Sequence, residues 1–325
     1  MDFDPEHWSI PDRYQPKPGD FTFDLVWASF ATVSLQASVP ADAFTAGILG
    51  TDRIGHGVAI DAEGTVLTIG YLITEAEEVS LTTGDGDAIQ AHVLGVDNAT
   101  GFGLVKAVRP LPVPALEIGN SQEAGLGDKV VIAAGGRIDR SIAAQVVARQ
   151  EFAGYWEYVL DEAIFTSPAH PLWSGAAMIG ASGKLLGICS LQMREELESG
   201  GVVPLNMVVP IELLPPILEE LKAGGRTAAP RPWLGLLAGD SSGKVVVLGA
   251  TPGGPAHRAE LREGDVILGV AGKDVPTLAQ FYRAVWALGD AGVKAPLTVQ
   301  REGDVFDVTI TTRDRNSFLK KPILH

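Results

Sequence analysis

The chain has very little cysteine. Cys189 is the only one in 325 residues, so no disulfide can close within it and no Cys/Cys/His zinc spacing occurs. Cys189 lies in the apolar run LLGICSL and is expected to be buried and inert. The six histidines are scattered, with no i, i+4 pair. No metal site and no cofactor is expected. Long hydrophobic runs are also missing: no stretch of about 18 uncharged apolar residues occurs, so no membrane span is expected. The opening MDFDPEHWSIPDRYQPKPGD has neither a basic stretch nor an apolar core of the kind a secretory leader carries. A cytoplasmic location is therefore expected, with a periplasmic one as the alternative if a leader has been removed.

Positive charge is scarce in the first two thirds. Residues 1–230 carry 13 Lys and Arg against 30 Asp and Glu, a net of −17. Residues 231–325 carry 12 against 10, a net of +2. The acidic body would repel phosphate, which argues against nucleic acid as a partner. The shift in balance places a domain boundary near 225–230, where GGRTAAPRP reads as a linker.

What the chain does have is punctuation, with 38 glycines and 21 prolines. Short apolar runs broken by Gly, Asp and Asn recur from residue 23 onward, the pattern of a sandwich or barrel rather than of alternating strands and helices. GVAIDAEGTVLTIGYLI reads as strand, turn, strand, and EVSLTTGDGDAIQAHVLGVD as a hairpin. PIELLPPILEELKAGG places Leu213, Leu214, Ile217, Leu218 and Leu221 on one stripe of a predicted helix that stops at Gly224. After the linker, LAQFYRAVWALG predicts a second helix, with Leu278, Phe281, Tyr282, Val285 and Leu288 on one side.

Four runs carry a resemblance. They are GHGVAIDAEGTVLTIGYLI (55–73), LEIGNSQEAGLGDKVVIAAGG (116–136), IFTSPAHPLWSGAAMIGASGKLLGI (164–188) and GATPGGPAHRAELREGDVILGVAGKDV (249–275). The first three resemble the trypsin-like barrels of the HtrA/Deg serine proteases. The fourth, with Trp233-Leu234-Gly235-Leu236 before it, resembles the PDZ domain of that family. The resemblance spans roughly residues 25–313. It implies a mainly β fold, a chymotrypsin-like double β-barrel followed by a small α+β PDZ domain. The implied layout is an N-terminal arm (1–22), the barrel domain (23–223), a linker (224–231), the PDZ domain (232–313) and a tail (314–325).

A serine protease needs a hydroxyl nucleophile, an imidazole base, a carboxylate that orients it and backbone N–H groups for the oxyanion. By resemblance, Ser174 falls on the nucleophile, Tyr71 on the histidine and Gly101 on the aspartate, while Leu172 and Ser174 fall on the oxyanion donors. A phenol with an ordinary pKa near 10 is a poor base at neutral pH, and glycine orients nothing. His56 and His170 are the candidate substitute bases. The resemblance also implies a peptide groove built from Trp233, Leu234, Gly235, Leu236, Phe281, Tyr282 and Val285. There, turn N–H groups would hold a C-terminal carboxylate while the peptide adds to a strand.

The expected function is that of a proteolytically inactive HtrA-like protein. Its expected ligands are peptides, protein C-termini or unfolded chains, alongside a possible active protease partner. The alternatives are an endopeptidase using Ser174 with His56 or His170, and a pure interaction module. The resemblance further implies a homotrimer, for which Tyr14, Phe21, Phe23 and Trp27 are the candidate contacts.

Overall fold

The structure, a computed structural model, describes residues 8–196, 200–224 and 230–320. The first seven residues of the expected arm, most of the expected linker and the last five of the expected tail lie outside them. The described residues fall into two compact units, the first drawn from Met1–Gln150, Glu162–Thr227 and Lys320–His325, the second from Glu151–Asp161 and Ala228–Leu319.

The first unit holds two closed six-stranded barrels. One is β1 (Thr32–Ser38), β2 (Asp52–Ala59), β3 (Thr65–Ile69), β4 (Glu78–Thr82), β5 (Ala88–Val96) and β6 (Phe102–Ala107), in the order β1-β2-β3-β6-β5-β4. The other is β7 (Lys129–Ala133), β8 (Ile142–Gly154), β9 (Tyr158–Ser167), β10 (Ala177–Ile179), β11 (Leu185–Glu196) and β12 (Val202–Pro210), in the order β10-β11-β12-β9-β8-β7. Alternation builds them. In β1, Val33, Leu35 and Ala37 are buried while Gln36 and Ser38 are exposed, as the two-residue period requires. β3 is buried along its whole length. Asp61 Oδ1 accepts from the Thr65 amide at 2.9 Å and closes the turn between β2 and β3. Cys189 is fully buried in the second barrel's core, and burial pushes its thiol pKa well up. That leaves no thiolate at neutral pH.

Among the described residues six α-helical segments accompany the strands: α1 (Leu25–Phe30), α2 (Ala46–Leu49), α3 (Gly70–Ile73), α4 (Leu218–Lys222), α5 (Pro255–Arg258) and α6 (Leu278–Trp286). The predicted helix after the barrels is broken. Ile211–Leu213 forms a 3-10 turn, and only α4 is α-helical beyond it. Pro215 and Pro216 lie between them: Pro216 has no N–H to donate and disfavours the helical region for the residue before it. Leu214 and Leu221 are still buried, so the apolar stripe packs without one continuous helix.

The second unit contains a sheet in the order β13-β14-β15-β17-β18, formed by β13 (Leu236–Ser241), β14 (Lys244–Ala250), β15 (Val266–Val270), β17 (Lys294–Arg301) and β18 (Asp304–Thr311), with β16 (Lys273–Asp274) pairing β15. Thr277 caps α6, its hydroxyl accepting from the Gln280 amide at 3.3 Å. Leu278, Phe281, Tyr282 and Val285 of α6 are buried in one cluster with Leu234 and Leu236. β13 is an edge strand of this sheet. Among the described residues no helix is long and apolar enough to cross a membrane.

Candidate active site

Tyr71 stands in the first turn of α3, which follows β3 directly. The Gly70 amide donates to the Gly101 carbonyl at 2.7 Å, so the backbone brings the segments of Tyr71 and Gly101 together. Arg53 Nη1 donates to the Tyr71 and Thr74 carbonyls at 2.7 and 2.8 Å and pins the end of α3. Ser174 lies 103 residues further on, and its Oγ is 2.7 Å from the Tyr71 hydroxyl.

The direction of that hydrogen bond decides its chemistry. Tyr71 has one hydroxyl proton, and it is donated to the Ser190 carbonyl at 2.7 Å. The Ser174 hydroxyl is therefore the donor to Tyr71. A phenol that keeps its own proton would have to become a cation to take the serine's as well. Burial raises the Tyr71 pKa well above its usual 10, so phenolate does not form near neutral pH. Tyr71 occupies the place of a base and holds Ser174, but it has no vacancy for a proton.

The two histidines lie near this site without serving it. His170 Nδ1 accepts from the Leu172 amide at 3.1 Å, so Nε2 carries the proton and donates to the Arg140 carbonyl at 2.8 Å. Both ring nitrogens are thereby engaged, and burial pushes its pKa down to about 4. The same contact turns the Leu172 amide, one of the two expected oxyanion donors, onto the imidazole. His56 is buried, with its ring centroid 6.5 Å from that of His170 and 6.2 Å from that of Trp8. Burial, then the proximity of His170 and the charge of Arg140, push its pKa down to about 3, and its Nδ1 has no hydrogen-bond partner. Its backbone meets the serine loop instead: the His56 amide donates to the Ser174 carbonyl at 2.7 Å.

Gly175 explains why the Ser-Gly pair is tight. Its φ is +78°, and a Cβ there would sit 2.0 Å from the His56 carbonyl oxygen. The surface above this arrangement is a cleft of about 860 Å³, lined among others by Trp8, His56, Arg140, Leu172, Trp173 and Ser174. Arg140 lies over the Trp8 ring at 5.3 Å. Among the described residues no group of three or more His, Cys, Asp or Glu is placed to hold a metal.

In the second unit, Leu234, Gly235 and Leu236 do form a turn with inward-facing N–H groups, with Gly235 at φ +72°. Sequence reasoning missed what they hold, which is the carboxylate of Glu157. EYVL reads only as one more short strand. The one local oddity, a non-glycine residue at φ +62°, is invisible without coordinates.

A trypsin-like peptidase domain model matches residues 55–188, and a PDZ domain model matches residues 232–312. The chain thus carries a trypsin-like peptidase domain followed by a PDZ domain, and in this it resembles the HtrA/Deg proteases. A probable periplasmic serine endoprotease, DegP-like, of Pseudomonas fluorescens is 28% identical over 271 residues, covering 79% of this chain and 56% of that protein. The protein of that name from Halomonas elongata is 26% identical over 277 residues, covering 80% of this chain and 56% of its own length. The chain thus spans about half the length of the curated relatives it matches. Two solved structures share the fold. The HtrA-type protease AlgW with a decapeptide has a TM-score of 0.52 at 22% identity, covering 91% of this chain and 98% of that one. The serine endoprotease from Yersinia pestis has a TM-score of 0.51 at 22% identity, covering 89% of this chain and 95% of that one. The mainly β barrel-plus-PDZ class expected from the sequence stands. The cytoplasmic expectation does not: it rested on a missing leader pattern, whereas the matching relatives are named as periplasmic.

Proposed function

We propose that this HtrA-type chain binds peptides without cleaving them. The observation that supports it most directly is the hydrogen bond from Ser174 to a tyrosine whose own proton is committed to the Ser190 carbonyl. A general base needs both reach and an open site for the proton, and Tyr71 has only the reach. With Gly101 in place of an orienting carboxylate and the Leu172 amide engaged by His170, acyl transfer lacks its base, its orienter and one oxyanion donor. Ser174 is then a remnant nucleophile, kept beside a glycine that the backbone requires. The endopeptidase alternative is not favoured, since both nitrogens of His170 are occupied and the described hydrogen bond of the Ser174 hydroxyl goes to Tyr71.

The ligands are peptides, protein C-termini or unfolded segments, taken by the PDZ unit and by the cleft over Ser174. Relatives named as periplasmic endoproteases support a periplasmic setting, and the role we propose there is in protein quality control or beside an active protease. Tyr14 and Trp27 are 39% and 53% exposed and are offered for self-association, which sedimentation at micromolar concentration reads directly. The deciding experiment for catalysis is labelling with a fluorophosphonate probe, read by intact mass against Ser174→Ala. No Ser174-dependent label on folded protein is expected. Stoichiometric label lost in Ser174→Ala would overturn the proposal.

A further inference from the structure

Peptide grooves of the kind expected in the second unit recognise three things: a carboxylate, a main chain added to a sheet edge, and an apolar side chain. All three are already met within this chain. Glu157 places its carboxylate in the turn before β13. Its oxygens accept from the amides of Leu234 at 3.0 and 3.1 Å, Gly235 at 2.7 Å and Leu236 at 3.0 Å. Successive N–H groups converging on one anion form a nest, the usual receptor for a terminal carboxylate. Two residues earlier, the Tyr155 carbonyl accepts from the Ala238 amide at 3.0 Å, on edge strand β13. Two residues later, Val159 is buried in the cluster that holds Leu234, Leu236, Phe281, Tyr282 and Val285.

The remaining contacts fasten this segment in place. Arg283 of α6 pairs with Glu151 and, at 2.5 Å, with Asp161, the first and last residues of the stretch that joins the second unit. The segment therefore touches both elements that frame the groove, β13 through Tyr155 and α6 through Arg283. A glutamate side chain carries the same carboxylate as a chain terminus. The positive φ of Glu157 turns the backbone away after it, as a terminus would simply end.

We propose that residues 151–161 are the resident occupant of the PDZ groove, with Glu157 standing in for a ligand's terminal carboxylate, so that the groove opens to C-terminal peptides only when this segment withdraws. The inference rests on the reading of the second unit as a peptide binder. Because a ligand can bind only the open fraction of the protein, its apparent affinity is lowered by that fraction.

The test uses the full chain and a fluorescein-labelled decapeptide library of random sequence ending in Val, Leu or Phe, as free acids and as C-terminal amides. Binding is read by anisotropy for the wild type, Glu157→Gln, Glu157→Ala and Arg283→Ala. Glu157→Ala is expected to bind free acids at least tenfold more tightly than the wild type, with amides unchanged, while Glu157→Gln, which keeps an acceptor oxygen for the turn amides, and Arg283→Ala gain less. Hydrogen exchange checks that the variants are folded. It should quicken at 151–161 and at the Leu234–Leu236 amides while β15 and β17 stay protected. Equal binding of free acids by wild type and variants would overturn the occupancy and leave the peptide-binding reading standing. Binding by none of the folded proteins would overturn that reading, and the occupancy with it.

Discussion

Replacing Tyr71 by Phe removes one hydroxyl and separates a structural role from a catalytic one. The phenol donates to the Ser190 carbonyl and accepts from Ser174, both at 2.7 Å. Ser190 is 4% exposed, so its carbonyl cannot turn to water when the donor goes. A lost intramolecular hydrogen bond is worth about 1 kcal/mol net, and an orphaned buried acceptor adds about 1 kcal/mol or more. Ser174 is partly exposed and its hydroxyl can rotate toward solvent, so its share is small. The ring stays, so no cavity term enters. The sum is about 2 kcal/mol, or roughly 4–8 °C in the melting of a unit of this size. Urea denaturation of the full chain, followed by barrel and PDZ probes separately, should show the loss in the barrel transition alone. The fluorophosphonate result should not change. A barrel stability within about 0.5 kcal/mol of wild type would refute the account of the Tyr71 proton.

Two further outcomes follow from the same structure. Gly175→Ala must place a methyl 2.0 Å from the His56 carbonyl at φ +78°, so it should destabilise the barrels by several kcal/mol or prevent folding, whereas Ser174→Ala should cost under about 1 kcal/mol in the same denaturation assay. The hold on the 151–161 segment should depend on pH. Burial pushes the Glu157 pKa up to about 7, against the lowering pull of the three amides and of Arg315 beyond β18, while Tyr282 on α6 is the neighbouring titratable group. A carboxyl whose pKa is higher when docked takes up a proton on docking. The docked state is therefore favoured most below the ordinary glutamate value near 4.3 and loses that advantage as pH rises through about 7. Exchange of the 151–161 amides, corrected for intrinsic rates, should be faster at pH 8 than at pH 5.5; the opposite order would contradict it.

The sequence by itself determined the architecture. Short alternating runs and turn residues dictate strands, and strands of this length bury their apolar faces only by closing into barrels or packing under a helix. The neighbours of Ser174 were also legible, because a family pattern laid along the chain puts Tyr71 and Gly101 at positions the barrel brings close. It is the tertiary structure that decided what those neighbours do. Whether Tyr71 could accept a proton depends on the Ser190 carbonyl, 119 residues away, and on burial that raises its pKa. Whether His170 could replace it depends on the Arg140 carbonyl and the Leu172 amide, which set its tautomer. Glu157 gave no sign at all, since the amides that bind it lie nearly eighty residues on and no local period records a contact of that range. Proton positions and long-range anion contacts arise from distances of about 3 Å between segments remote along the chain, and such distances exist only once the chain has folded.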